Sequence, residues 1–370
     1  MNWFGRKSGR DVSRPVLARG SGMTAPLGEW PQSYEAQVRE GYAGNPVAQR
    51  AVKIVAEGVA SAPLVASDPA LLALATARSQ GQMLVETLAA QLLLHGNAYV
   101  QLLGDGAGGV GELFALRPER VSVETDAGGW PLAYRYRIGG SVTRIAAEDA
   151  AGRQQVLHLK AFNPVDDHYG LGCLGAASGA VAIHNAATRW NKALLDNAAR
   201  PSGALVYDPG DGSALAPAQF DRLKSEMEAG FAGAANAGRP MLLEGGLKWQ
   251  AMSMTPADMD FVGLKAAAAR EIALAFGVPP MLIGLPGDNS YANYREANKA
   301  VWRMTILPLA DKILTELAQG LRGWFADAWL RVELDKVPAM AEDRERLWRS
   351  VSGADFLTSE EKRAMLGIGQ

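Results

Sequence analysis

Cysteine is nearly absent from this chain. One thiol, Cys173, in 370 residues leaves nothing for an intrachain disulfide and no Cys-x-x-Cys pair, and suits a reducing compartment. Histidine is almost as scarce, and no two of His95, His158, His168 and His184 stand at metal-ligand spacing. A basic surplus is missing too: 37 Lys and Arg against 39 Asp and Glu give a formal charge of −2. Tight nucleic-acid binders draw much of their affinity from phosphate neutralisation, so contact with nucleic acid is expected to be weak and independent of base sequence. Long apolar runs are lacking. The most hydrophobic stretch, TLAAQLLLHGNAYVQLL, is broken by Gln91, His95, Gly96 and Asn97, which argues against a membrane span. The opening MNWFGRKSGRDVSRP carries charge without an apolar segment, so no secretory signal is expected and the chain is expected to be made in the cytoplasm.

What is present is globular: 48% hydrophobic and 21% charged residues, in a length that suits two or three domains. Residues 1–44 lack steady periodicity and are expected to form an arm. At Asn45 a helix starts, with Asn as cap, Pro46 at the first helical position, and Val47, Val52, Val55 and Val59 on one face. SQGQMLVETLAAQLLLHG predicts a second amphipathic helix. Short strands with glycine turns follow between Tyr99 and Leu159, and Ala176 to Ala199 reads as a long helix. The insert 200–255 reads as a small β-α-β-β unit with strands SGALVYD, RPMLLEG and LKWQAMSM around the helix APAQFDRLKSEMEAGFAG. Residues 256–278 are helical again and stop at Pro279 and Pro280. A loop of Gly, Pro, Asp, Asn, Ser and Tyr runs to Asn293, and a helix from Tyr294 to Phe325 contains Pro308. WLRVELDKV predicts a strand before a short helical tail. The class is α+β.

Chemical motifs are few. Gly106, Gly108 and Gly111 fit a dinucleotide fingerprint, but a strand follows where the pyrophosphate needs a helix N-terminus. Gly170, Gly172 and Gly175 precede a helix and are the better candidate for a nucleotide-binding enzyme, although no strand leads into them. The Walker lysine and the G-x-S-x-G elbow are missing. Asp166 to His168 reads as a solvated turn, and Asp258 and Asp260 as carboxylates at a helix start.

The order of parts resembles the portal proteins of long-tailed bacteriophages and phage-derived gene transfer agents. The resemblance rests on NPVAQRAVKIVAEGVASAPL, LLLHGNAYVQLL, LRPERVSV, VLHLKAFNPVDDHYGLGCLGAA and FLTSEEKRAMLGI. Its most specific stretch is REIALAFGVPPMLIGLPGDNSYANYREANKAVWRMTILPLADKILTEL, and it extends from about Asn45 to the end. It implies a ring-forming portal fold: wing over 45–175, antiparallel stem helices 176–199 and 256–278, clip 200–255 and tunnel loop 279–293. A long wing helix with return strand over 294–340 and a short crown over 341–370 complete it. It implies a homo-dodecamer at one vertex of a virion or phage-like capsid, without catalytic residue, metal or cofactor. Double-stranded DNA would pass during packaging and ejection. Docked on the ring would be the terminase large subunit, the major capsid protein and a head-tail adaptor. The implied channel residues are Asp288, Asn289, Ser290, Tyr291, Asn293, Tyr294 and Arg295; Arg239, Lys248 and Trp249 would face clip partners.

Overall fold

Asn45 caps a helix as its side chain allows: in a computed structural model of the chain its Oδ1 accepts the N–H groups of Val47 and Ala48, both at 3.0 Å. The structure describes residues 17, 33–79, 81–196, 203–208, 210, 216–231, 247–251, 260–285 and 290–367. Before that cap lie α1 (Tyr34–Val38) and a π-helical turn (Arg39–Ala43), so the described end of the expected arm is helical. Helix α2 (Pro46–Ser61) buries Val47, Val52, Val55 and Val59, the four residues that the periodicity selects. Strand β1 (Leu64–Ala66) leads to α3 (Pro69–Thr76), capped by Asp68, and to a short ribbon of β2 (Arg78–Ser79) and β3 (Gln82–Met83). Helix α4 (Leu84–His95) ends at Gly96 in the left-handed conformation.

Two antiparallel three-stranded sheets follow. β4 (Asn97–Gly104) lies between β5 (Val110–Leu116) and β9 (Val156–Lys160), and β7 (Pro131–Ile138) lies between β6 (Val121–Thr125) and β8 (Ser141–Ala146). Successive residues Asn97 to Val100 are all buried, as a strand covered on both faces requires. Tyr99, Leu116, Val121, Val123, Tyr134 and Val156 form one core cluster joining the sheets. Tyr99 stacks on His158 with ring centroids 4.2 Å apart and meets Tyr134 edge-on at 5.8 Å.

Beyond the sheets come α5 (Cys173–Asp196), β10 (Gly203–Tyr207), α6 (Pro217–Phe231), β11 (Leu247–Ala251) and α7 (Phe261–Ala275). β10 and β11 pair antiparallel, and the expected strand RPMLLEG lies outside the described residues. The chain divides into two compact units, Met1–Ser178 with Ala273–Gln370, and Gly179–Ile272. In the smaller unit Ala180, Val181, Ala187, Ala268, Ala269 and Ile272 are buried, and Trp190 stacks on Phe261 at 5.9 Å.

The larger unit closes with α8 (Tyr291–Val301), a π-helical turn (Trp302–Ile306) and α9 (Leu307–Gly320). The unbroken helix expected from Tyr294 to Phe325 therefore starts three residues earlier, swells in the middle and stops at Gly320. Pro308 accounts for the swelling. It has no N–H for the carbonyl four residues back and its ring crowds that carbonyl, and a π turn absorbs both defects. α9 buries Ala310, Ile313, Leu314 and Leu317 and packs on α2, α4 and β9. Gly58 of α2 lies close to the π turn, since a Cβ there would stand 2.5 Å from Ile306 Cδ1. The expected strand WLRVELDKV shortens to β12 (Leu330–Val332), paired with β1, because Leu334–Lys336 turns into a 3-10 helix. α10 (Ala341–Ser352) and α11 (Ser359–Leu366) pack together, the second started by a Thr358–Glu361 capping box.

Candidate functional site

The loop after α7 is fastened at both ends. At its root Gly277 has φ +65°, a conformation that a side chain makes costly, and donates its N–H to Leu274 O at 3.0 Å. Val278 donates to Ala273 O at 2.9 Å and is buried with Phe276. Pro279 and Pro280 cannot continue the helix. A 3-10 turn, Pro280–Ile283, follows. Thr305 of the π turn donates its hydroxyl to Gly277 O at 2.7 Å. At the far end Ser290 caps α8, its Oγ accepting the N–H of Asn293 at 3.2 Å. The tunnel-loop span expected over 279–293 thus holds a 3-10 turn near its start, and its last three residues belong to α8.

The predicted channel residues fall in different places. Asp288 and Asn289 lie outside the described residues. Ser290 is a cap, Tyr291 opens α8, Asn293 lies in the first turn, and Tyr294 is half exposed. Arg295 reaches back to α10, where its guanidinium stands 3.1 Å from Glu342. Lys299, one turn on, meets the same carboxylate at 2.7 Å, and Arg303 pairs with Asp343 at 2.5 Å. The Lys299 hydrogen bond, aided by the Arg295 charge, holds the Glu342 carboxyl below the usual carboxylate range, and the same bond raises the Lys299 ammonium. The basic stripe at Arg295, Lys299 and Arg303 is visible in the sequence as a helical repeat. Its acidic partners, some forty residues distant, carry no local signal.

In the smaller unit Lys248 on β11 is exposed, 3.6 Å from Asp208. Trp249 follows in register with Leu205, and Arg239 lies outside the described residues.

Gly170 and Gly172 serve backbone packing. A Cβ at Gly170 would stand 2.0 Å from Gly96 O, and one at Gly172 2.6 Å from Leu94 O. Asn97 ties the contact together: its Oδ1 accepts the Gly170 N–H at 2.7 Å, its Nδ2 donates to Gly170 O at 3.1 Å, and His158 Nε2 lies 2.9 Å from Oδ1. Burial depresses His158 to about 3 and His95 to about 4. The Gly170 amide thus faces a side chain of its own fold, with no opening for a pyrophosphate. Among the described residues no three His, Cys, Asp or Glu gather into a group that could hold a metal ion.

A family model described as phage portal protein matches residues 46–367. The chain belongs to the phage portal protein family. This portal chain is 48% identical to a chain from the virion of a native gene transfer agent particle, with TM-score 0.71, covering 94% of this chain and 96% of that one. A chain from the neck of such a particle, computed with C12 symmetry, matches at 48% identity and TM-score 0.71, over 94% of this chain and 97% of that one. An uncharacterized protein of Rickettsia felis is 39% identical over 347 residues, 89% of this chain and 88% of its own. The mixed helix-and-sheet architecture is the portal fold, and the family's role is structural.

Proposed function

We propose that this portal chain forms a closed ring at one vertex of a phage-like particle and serves as the conduit for double-stranded DNA. The carrying observation is the likeness, at 48% identity over 94% of the chain, to the C12-symmetric neck of a gene transfer agent particle. The surface supports a ring: Ile183 and Trp190 of α5, and Val262, Leu264 and Leu274 of α7, are exposed apolar side chains on helices that neighbouring copies would cover. A formal charge of −2 supports a conduit over a tight DNA binder, because a channel that grips phosphates retards what it passes. In this reading 279–293 is the tunnel loop, with Asp288 to Asn293 nearest the duplex, and 200–255 is the clip, with Arg239, Lys248 and Trp249 facing the terminase large subunit and then the head-tail adaptor. The major capsid protein surrounds the ring. The chain performs no chemistry of its own, and the terminase drives translocation.

Electron microscopy of the purified protein tests the reading. A ring with a central channel that admits a duplex is expected. A monomer by light scattering across concentrations and salts would overturn it.

A further inference from the structure

The outer face of the β6–β7–β8 sheet is unlike the rest of this weakly acidic chain. Pairing register puts Ser122 opposite Arg135, Arg135 opposite Arg144, and Arg137 opposite Val142. Val121, Val123, Tyr134, Tyr136 and Ile145 point the other way, into the core. Three arginines therefore share the outward face, and Arg120 stands at its margin. Glu124 holds two of them, Arg135 at 3.3 Å and Arg144 at 3.0 Å. Arg120 and Arg137 have no carboxylate partner among the described residues, and they line a groove of about 310 Å³ whose wall includes the exposed Val142.

Beside that groove the sheet is open. β8 is an edge strand, and among the described residues no strand lies beyond it. The phase of its hydrogen bonds follows from the two-residue turn Gly139–Gly140. Ile138 and Ser141, which flank it, form a hydrogen-bonded pair, and such pairs alternate along an antiparallel ladder. The N–H of Ala147, six residues on, donates to Leu132 O at 3.0 Å in the same phase. Val142 and Arg144 therefore turn their backbone N–H and C=O groups away from β7. An exposed edge of this kind is a template for another strand.

We propose that the β8 edge and the Arg120–Arg137 groove together take an extended, acidic segment of a protein partner by strand addition. Backbone pairing to Val142 and Arg144 supplies the affinity, and alternate side chains of the incoming strand meet the sheet face. Carboxylates there suit two planar guanidinium groups, which bind them in fork geometry, and a small apolar residue suits Val142. A duplex is the poorer occupant. A sugar-phosphate chain has no row of N–H and C=O groups to pair with Val142 and Arg144, and the exposed Val142 offers it nothing.

Fluorescence anisotropy on the purified full chain tests this with three labelled probes: a short peptide alternating Glu and Val, its Lys-Val counterpart, and a mixed-sequence DNA duplex. The Glu-Val peptide is expected to bind and the Lys-Val peptide to fail. Arg120→Glu with Arg137→Glu should weaken the Glu-Val peptide at least ~10-fold, a loss of about 1.4 kcal/mol. Val142→Pro should abolish binding and leave the melting temperature in place, because the N–H it removes faces outward. Hydrogen exchange at the Arg144 amide should slow when the peptide binds. If Val142→Pro alters the melting transition, the Arg144 exchange and the Arg137→Glu variant decide alone. The proposal is overturned if Val142→Pro binds the peptide normally, or if the arginine reversals abolish duplex binding while the peptide never binds. It is overturned too if the Arg144 amide is already protected in rings without peptide, which assigns the edge to a second copy of this chain.

Discussion

Asn97 shows how much one side chain carries here. It joins the end of α4, the start of β4 and the Gly170 turn through hydrogen bonds to Gly170, His158 and His95. Asn97→Ala strands the buried Gly170 N–H and the His158 ring together, and a loss of about 1–3 kcal/mol is expected in urea unfolding. The same knot sets a pH dependence. Burial, aided by the Lys160 charge, depresses His158 to about 3 from 6.5, and burial brings His95 to about 4. Between those values and 6.5 the unfolded chain binds more protons than the folded one, so stability rises with pH. Stability should thus be complete above about pH 6.5 and fall as acid is added below it. Urea midpoints at several pH values measure this, and His158→Gln should flatten the slope. Little of the knot was legible. Asn97 reads only as a polar break in an apolar run, and the Gly170–Gly172 spacing copies a nucleotide turn, because close backbone packing and phosphate approach both ask for glycine.

Among elements, the contact between the loop root and the π turn is the most exposed to test. A Cβ at Gly277 meets both a left-handed backbone and Thr305 Oγ1 at 2.7 Å, so Gly277→Ala should cost about 1–3 kcal/mol in thermal unfolding. Thr305→Ser should keep the hydrogen bond, and Thr305→Val should lose about 0.5–1.5 kcal/mol. The ladder from Arg295 to Arg303 against Glu342 and Asp343 is solvent-exposed apart from the Lys299 side chain and should matter less. Glu342→Gln should shift the melting temperature only slightly, and the shift should vanish near 1 M salt, where the screening length is about 3 Å. Helix starts were legible where a cap and a proline coincide, as at Asn45–Pro46, and α4 stops at Gly96 as its glycine foretells. The π turn was not, since Pro308 can end, kink or widen a helix and only its packing neighbours decide which. The pairing of β1 with β12, more than 260 residues apart, leaves no local trace either.

At the scale of the whole molecule, the ring reading makes the loop and the smaller unit separable. Replacing residues 286–289 with a Gly-Ser linker spares Ser290, which caps α8, and the π-turn latch, so rings should still assemble. Particles built on that variant should hold less DNA, as DNase-protected DNA per particle would measure; unchanged content would leave the loop as a connector. Deleting residues 200–255 should give a folded larger unit that no longer recruits terminase, scored by co-sedimentation. The family was legible in the order of these parts more than in any one motif, because a chain whose role is structural has few residues whose chemistry announces it.

A π turn is also a record of length. The five residues Trp302–Ile306 hold one more residue than an α-helical path between the same ends would need. Deleting the exposed Met304 removes that surplus residue, so an α-helical path joins the same ends and leaves only the Pro308 crowding to be met by a kink. The acidic partners of Arg295 and Lys299 lie on one side of that joint, and the buried stripe of Ile313 and Leu317 on the other. Both stay in phase after such a loss. The same one-codon deletion inside α9, where no residue is spare, would turn the buried stripe by about 100°, so the joint is the one place in this helix pair with a residue of slack.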